Sequence, residues 1–323
     1  MTFYHTSPAL TTLGDRLLSR VWDTFPDLER DQLSLTWLVY PGLAKASTPW
    51  TDDRPDLLRG QLPWGYTYQG NRSFYPASVV KLFYLIMVYE ALETGRLQHF
   101  AELERATRDM IVDSSNDATG FVMDALTDTT SGLDLPPLAF ERWQYQRNRI
   151  NRYFQSLGWP ELSNANLNQK TWCDGAYGRE RSFLGQEGAN RNRLNTLGTA
   201  RVFHGLITQD LLSSQACQAM MKILKRSLKP ADLKADPENQ VTGFLGGGLP
   251  QSAKLWSKAG LMSRVRHDAA YLELAPLPPS LLVVFTEGSL QSRNEQLLPF
   301  IAQETIAALS YSGLSTETES AVI

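Results

Sequence analysis

The stretch Pro76–Leu82 has the sequence PASVVKL and opens a strongly apolar segment of the chain. Apart from one lysine, every residue from Val79 to Val88 is apolar or aromatic, which predicts a helix buried on all sides. Ser78 and Lys81 stand three residues apart and share a face of that helix. Because an isolated buried charge is costly, the lysine must find polar partners or give up its proton. The pair predicts a nucleophile beside a base; the alternative is a helix cap followed by a lysine that reaches solvent.

A second motif, Asp113–Ala118 (DSSNDA), joins two helical patterns. Its Ser114 and Asn116 side chains can point out of such a turn into a shared cleft. A serine hydroxyl can relay a proton to a leaving nitrogen, and an asparagine amide can hold a substrate carbonyl or amide. The alternative is that Asn116 or Asp117 caps the helix that follows.

A third motif, Trp256–Leu261 (WSKAGL), ends a predicted strand. Lys258 offers a cation for a substrate carboxylate, and Gly260 lets a substrate backbone lie against the strand. The backbone N–H of Leu261 can serve as an oxyanion donor. The alternative is a solvated lysine at the end of a strand.

The apolar periodicity of the whole chain predicts helices and strands in a definite order. The predicted helices are Pro8–Phe25, Val79–Thr94, Phe100–Val112, Ala118–Leu126, Leu138–Leu157, Thr199–Thr208, Ser214–Leu228 and Glu295–Leu309. The predicted strands are Leu33–Tyr40, Leu62–Tyr68, Ala253–Lys258, His267–Leu274 and Leu281–Thr286.

This order predicts an α/β (α+β) fold. We expect an antiparallel five-stranded sheet that carries the N- and C-terminal helices, with an all-helical region inserted between its strands. The chain should form a single unit over residues 1–312, with the sheet region at 1–75 and 251–312 and the helical region at 76–250. Residues 313–323 should form a flexible tail.

The composition excludes several classes of protein. The 323 residues carry 31 basic and 34 acidic side chains, 31 − 34 = −3, with 42% hydrophobic and 20% charged residues. These values are typical of a globular protein and not of a disordered chain or a basic nucleic-acid binder. The two cysteines, Cys173 and Cys217, have no metal-binding spacing and are interpreted as ordinary thiols.

The N-terminus lacks a basic segment followed by an apolar one, and the longest apolar run is too short to cross a bilayer. We therefore expect a cytoplasmic protein with no cofactor or metal and no nucleic-acid or membrane partner. We expect a monomer that binds a small-molecule or peptide-like substrate carrying a carboxylate.

Taken together, the three motifs resemble those of class A serine β-lactamases and penicillin-binding proteins. Those families carry Ser-x-x-Lys, then Ser-x-Asn, then Lys-x-Gly near the end of the chain. The resemblance runs from about Leu33 to Leu309. Within this range, the segments Phe74–Ser78 and Arg266–Ala270 are also similar to the family. Asn195-Thr196 is similar to the exit of the family's Ω-loop.

The resemblance implies roles for the residues that match. Ser78 would be the acyl-accepting nucleophile, Lys81 its base, and Ser114 the proton donor to the leaving nitrogen. Asn116 would bind a substrate amide and Lys258 a substrate carboxylate. The backbone N–H groups of Ser78 and Leu261, next to Gly260, would form the oxyanion hole. Arg266, or alternatively Arg264, would bind a substrate carboxylate.

The sequence also departs from the family pattern. Ser115 replaces the usual aspartate, and Ala259 supplies no hydroxyl to a carboxylate. The loop Leu162–Asn195 lacks the Glu-x-x-x-Asn that positions a deacylating water; Glu180 is the nearest acid by position, and Glu187 the nearest to an asparagine. The alternative for both acids is a solvated loop charge. We therefore expect slow or unconventional deacylation.

The leading interpretation is a β-lactamase-like serine hydrolase (class A-like) that forms an acyl-enzyme through Ser78 and hydrolyses a β-lactam or a related amide. A D,D-peptidase or esterase is the alternative within enzymes. The alternative from another class is a penicillin-binding-like module that becomes acylated without turnover.

Overall fold

The sheet is assembled from both ends of the chain. The computed structural model describes residues 2–41 and 62–311. Within them lie seven strands: β1 His5–Thr6, β2 Leu33–Val39, β3 Trp64–Tyr68, β4 Lys225–Arg226, β5 Lys254–Met262, β6 Val265–Glu273 and β7 Ser280–Glu287. Across the sheet their order is β1-β3-β2-β7-β6-β5-β4. Strands β1 and β3 pair in parallel, and the other pairs are antiparallel.

The expectation of a five-stranded antiparallel sheet is therefore wrong in two respects, because the sheet has seven strands and is mixed. Its five long strands correspond to the five predicted ones. The additional strands, β1 and β4, are two residues long. A two-residue strand is too short to show the alternation from which strands are predicted.

Twelve α-helices occur in the described residues. They are α1 Pro8–Thr24, α2 Val80–Glu93, α3 Ala101–Val112, α4 Asn116–Thr127, α5 Pro137–Arg147, α6 Arg149–Ser156, α7 Gly178–Leu184, α8 Thr196–Ile207, α9 Ser214–Leu224, α10 Pro230–Ala235, α11 Ser289–Arg293 and α12 Leu297–Tyr311. Short 3₁₀ turns include Ala77–Val79 directly before α2.

Two predicted helices differ from those observed. The one predicted at Leu138–Leu157 is two helices, which meet at Asn148, whose side-chain amide donates to the carbonyl of Gln144. The helix predicted to reach Leu228 ends at Leu224, because the next two residues pair with β5 as strand β4. The predicted tail at 313–323 lies outside the described residues, and the predicted division into sheet and helical regions stays a prediction.

Apolar side chains cover the sheet on both faces. Along β2, Leu35 and Trp37 pack in the core that contains α1 and α12, whereas Leu38 packs in the core that contains α2. The alternation repeats along β7, where Leu282 and Val284 face the first core and Leu281, Val283 and Phe285 face the second. Because both faces are covered, these two strands consist mostly of apolar residues.

Helix α2 passes through the middle of the second core. All residues from Val79 to Val88 are buried, including Lys81, which is 0% exposed. The prediction of a helix buried on all sides is confirmed. The helix begins beneath strand β5, so its first turn lies where the sheet meets the helical region.

Candidate active site

Ser78 lies in a 3₁₀ turn whose backbone is strained. The residue before it, Ala77, has φ +45°, in the left-handed region that residues with a Cβ seldom occupy. Such a conformation costs of the order of 1–3 kcal/mol and persists only where the surroundings enforce it. The side chain of Ser78 is partly exposed, unlike its neighbours on either side. Ser78 is thus the one residue of this turn that is partly open to solvent.

His267 on β6 anchors this turn to the sheet. Its Nδ1 accepts from the backbone N–H of Thr286 at 3.0 Å, so the ring proton must lie on Nε2, which donates to the carbonyl of Tyr75 at 2.9 Å. Burial lowers the pKa of His267 to about 4. The imidazole is therefore neutral at pH 7 and acts as a fixed link between β7 and the segment that leads to Ser78.

Gly260 makes room for the same turn. A Cβ at this position would lie 2.7 Å from the carbonyl oxygen of Pro76 and 3.1 Å from the backbone nitrogen of Ser78. Strand β5 and the turn approach each other too closely for any side chain. The sequence interpretation gave Gly260 a contact with substrate; the structure places it against the turn of the candidate nucleophile.

Lys81 is held entirely by neutral oxygen acceptors. Its Nζ donates to the carbonyl of Ser114 at 2.6 Å, to the side chain of that serine at 3.3 Å, and to Oδ1 of Asn116 at 2.8 Å. The carbonyl of Ser115 lies at 3.5 Å. Burial lowers the pKa of Lys81 to about 7. A substantial share of this lysine is therefore an unprotonated amine near neutral pH, as a base requires.

Ser114 lies between two lysines. Its φ is +54°, a second left-handed residue at the site. Its Oγ accepts from Lys81 at 3.3 Å and from Lys258 at 3.0 Å. Because an ammonium can only donate, these contacts use the hydroxyl oxygen as acceptor and leave its own proton to donate to a third group.

Lys258 is fully buried, so the alternative of a solvated lysine is wrong. Besides Ser114, its ammonium donates to the carbonyl of Ala259 at 2.9 Å and to Oε1 of Gln240. Burial, with Lys81 and Arg226 nearby, lowers its pKa well below the usual lysine value. A bound anion would offset that cost of burying a cation.

Asn116 connects the cluster to the loop that precedes α7. Its Oδ1 accepts from Lys81, and its Nδ2 donates to the sulfur of Cys173 at 3.3 Å. Cys173 is exposed, whereas Cys217 is buried away from solvent. The interpretation of both cysteines as ordinary thiols thus missed a contact that Cys173 makes at the candidate site.

The structure does not bring Arg266 to this cluster. In the sheet Arg266 pairs with Leu261, and His267 pairs with Gly260, so Arg266 lies on the opposite face from the Ser78 turn. Its guanidinium donates to the carbonyls of Ser292 and Gly243 at 2.9 and 3.0 Å. Arg264 lies between β5 and β6 and is exposed, as is the side chain of Leu261.

Glu180 lies in a buried ion pair and not beside Lys81. Both of its carboxylate oxygens accept from Arg147, at 2.7 and 3.1 Å, and Oε1 also accepts from Ser131 at 2.8 Å. Lys170 lies 3.6 Å away. These contacts do not support the hypothesis that Glu180 activates a water. Glu187 is exposed, which fits the alternative of a solvated loop charge.

Several contact residues left no signal in the sequence. Gln240 and Cys173 belong to loops without periodicity, and their partners are more than 15 residues away in the chain. His267 lies at the start of a predicted strand, and the alternation of side chains along a strand would have placed it and Arg266 on opposite faces of the sheet.

In the part of the chain that the structure describes, no cluster of His, Cys, Asp and Glu could hold a metal ion. No helix among the same residues has the length and apolarity to cross a bilayer.

A comparison of the sequence with family models gives one match. The model described as "Beta-lactamase enzyme family" matches residues 98–309, about two thirds of the chain. The matched range contains Ser114, Asn116, Lys258 and Gly260 and begins after Ser78. Among curated proteins, none has a matching sequence.

Solved structures share the fold at low sequence identity. A β-lactamase from Sphaerobacter thermophilus is 18% identical, with a TM-score of 0.61 over 91% of this chain and 97% of that one. The structure of PBP-A is 15% identical, with a TM-score of 0.61 over 96% of this chain and 99% of that one. A mutant of PBP-A, solved as an acyl-enzyme complex with penicillin G, is 15% identical, with a TM-score of 0.58 over 92% and 97%.

Proposed function

The chain belongs to the beta-lactamase enzyme family, and on that premise we propose that it is a serine hydrolase that forms an acyl-enzyme through Ser78 with a β-lactam or a related amide. The observation that carries the proposal is the setting of Lys81, a buried amine with a pKa of about 7 that is held by neutral acceptors one helical turn from Ser78. That setting is the one in which a lysine can act as a base at neutral pH.

In the proposed acylation step, the amine of Lys81 takes the proton of Ser78 Oγ while that oxygen bonds to the substrate carbonyl carbon. The carbonyl oxygen gains the negative charge and lies near the backbone N–H groups of Ser78 and Leu261. The carbon–nitrogen bond then breaks. Ser114 gives its proton to the nitrogen and recovers one from the Lys81 ammonium, 3.3 Å away.

Substrate binding would use the buried cation at the end of the cleft. Lys258 has no carboxylate among its hydrogen-bond partners in the described residues. A substrate carboxylate would supply that missing negative charge, and Asn116 has a second amide proton for a substrate carbonyl. The proposed substrate is therefore an amide with an anionic group.

A second candidate is a penicillin-binding-like protein that becomes acylated and turns over slowly, with D,D-peptidase or esterase activity as its enzymatic form. The observation that favours it is the ion pair of Glu180 with Arg147, which occupies both carboxylate oxygens. No carboxylate of the described residues forms an ion pair with Lys81 or Lys258. A water that hydrolyses the ester would then have to rely on Lys81.

Intact-mass measurement after exposure to penicillin G and to a cephalosporin, followed over time, tests the proposal. We expect the mass of one ring-opened molecule on the wild type and none on Ser78→Ala. A mass that disappears within seconds supports a β-lactamase, and one that persists for minutes supports the penicillin-binding alternative, which hydrolysis of a D-Ala-D-Ala peptide or ester then refines. Equal labelling of Ser78→Ala would contradict the assignment of the nucleophile.

A further inference from the structure

The Asn116 amide is oriented by two partners of different kinds. The ammonium of Lys81 can only donate, so the atom that faces it at 2.8 Å must be the carbonyl oxygen Oδ1. The amino group Nδ2 therefore points the other way, where it donates to the sulfur of Cys173 at 3.3 Å. Sulfur is a weak acceptor as a thiol and a much stronger one as a thiolate.

Cys173 is also an ionisable group at the edge of the hydrogen-bond cluster around Lys81. The groups that contact Lys81 are two backbone carbonyls, the Ser114 hydroxyl and the Asn116 amide, and beyond Ser114 lies the cation of Lys258. Negative charge on Cys173 raises the pKa of Lys81, against the larger lowering that burial causes. Among the described residues, Cys173 is the ionisable acid that touches this hydrogen-bond cluster.

We propose that Cys173 is a positioning residue of this site: its sulfur holds the Asn116 amide in the orientation that serves Lys81, and negative charge placed at this position acts on the lysine. The proposal rests on the function proposed above, in which Lys81 is the base. Because the thiol is exposed, a change in its charge or a modification by a reagent in solution would alter the surroundings of the proposed base, Lys81.

One consequence concerns the substrate. Nδ2 carries two protons, and the contact with Cys173 uses one of them. The other is left for a substrate carbonyl. Loss of the sulfur would release the amide to rotate, which would loosen both the lysine contact and the substrate contact.

Two variants of nearly equal shape separate charge from packing. Cys173→Asp and Cys173→Asn differ by one negative charge at the same place. Since ammonium is favoured by a nearby negative charge, we expect the acid limb of the acylation rate to lie at a higher pH in the aspartate variant than in the asparagine variant, by about one pH unit. Cys173→Ala should lower the acylation rate by about 10-fold at its best pH, the usual effect of losing one such hydrogen bond.

The proton affinity of Lys81 can also be measured without any substrate. In protein labelled with ¹³C-lysine, the Lys81 side-chain signal is assigned by its loss in Lys81→Ala and is then followed from pH 5 to pH 10 in the same two variants. The buried Cys217 supplies the matched control, because Cys217→Ser removes a thiol that does not contact the cluster.

The outcomes separate the two proposals. Suppose that the Lys81 titrations differ between the aspartate and asparagine variants but that penicillin does not acylate the wild type. This result would support the role of Cys173 and overturn the proposed function. Acylation through Ser78 with identical titrations and identical pH profiles in the aspartate and asparagine variants would overturn the role of Cys173 and leave the function intact. A shift in Cys217→Ser equal to that in the Cys173 variants would also overturn it.

Discussion

Lys81 and Lys258 share one acceptor, the hydroxyl oxygen of Ser114, at 3.3 and 3.0 Å. Both side chains are fully buried. Burial lowers the pKa of each, and Lys81 further lowers that of Lys258. Because two ammonium groups around one oxygen repel each other, an anion bound at Lys258 would hold the proton there and leave Lys81 as the amine. In the proposed mechanism, binding of an anionic substrate would therefore favour the unprotonated form of Lys81.

The first prediction concerns the pH dependence of acylation. Because Lys81 must be unprotonated and its pKa is about 7, the rate should rise between pH 6 and pH 8 and level off above. Lys81→Arg keeps its proton throughout this range and should lose about 10²–10⁴-fold in rate. Stopped-flow or mass measurement of acylation across this pH range checks both. The exposed Lys234→Arg serves as the control, and a flat profile for the wild type would contradict the role of Lys81.

The second prediction separates stability from turnover at Glu180. Glu180→Gln removes the buried carboxylate that pairs with Arg147 and leaves the partly exposed Asp124, at 3.3 Å, to pair with this cation, so it should lower the free energy of unfolding by about 3 kcal/mol. Glu187→Gln, at an exposed position, should change it by less than about 0.5 kcal/mol. Urea unfolding measures the difference. If folded Glu180→Gln acylates normally but deacylates much more slowly than the wild type, Glu180 is the missing water activator after all.

The third prediction tests the approach of β5 to the Ser78 turn. Gly260→Ala places a Cβ 2.7 Å from the backbone oxygen of Pro76, so the turn must move. We expect the acylation rate to fall by at least about 10²-fold, since displacement of a nucleophile by about 1 Å has such an effect. Gly120→Ala on α4 would place a Cβ in ordinary van der Waals contact with the Lys170 side chain, at 3.9 Å, and should stabilise the helix by about 0.5–1 kcal/mol with no loss of activity. Wild-type rates in Gly260→Ala would argue against this geometry.

The fourth prediction concerns the anionic group of the substrate. A penicillin whose carboxylate is esterified should react more slowly than the free acid with the wild type, and the difference should disappear in Lys258→Ala. Lys254→Ala on the same strand is the control, because its side chain is half-exposed and pairs with Glu273. Acylation rates of acid and ester at two salt concentrations give the measurement. Equal rates for acid and ester with the wild type would remove Lys258 from substrate binding.

The sequence predicts well those parts of the molecule that repeat a pattern. The five long strands and helix α2 follow from alternation and from an unbroken apolar run, since both reflect burial along many consecutive residues. The strands β1 and β4 could not be predicted, because two residues carry no period. The split at Asn148, where the side-chain amide donates to the carbonyl of Gln144, leaves no signal in the apolar periodicity.

At the site, spacing along the sequence can place residues of one helix or turn relative to each other, but it cannot predict contacts between different segments. The spacing of three residues correctly places Ser78 and Lys81 in successive turns of one segment, the 3₁₀ turn and the start of α2. The contacts of Lys258 with Gln240 and of Asn116 with Cys173 join segments that are distant in the chain. Glu180 shows the opposite error: an acid at a plausible position in the loop lies in an ion pair with Arg147, since a buried carboxylate needs a cation wherever the fold supplies one.

Arg226 carries a consequence for the molecule as a whole. Its guanidinium donates to the carbonyls of Ile111 and Val112 at the end of α3 and to that of Ser257 on β5. The partly buried Arg226 thus joins the strand that carries Lys258 to the helix that leads into Ser114. The relative position of Lys258 and Ser114 therefore depends on these hydrogen bonds between β5 and α3. Heat that breaks them should abolish the proposed acylation before the sheet or the helices unfold.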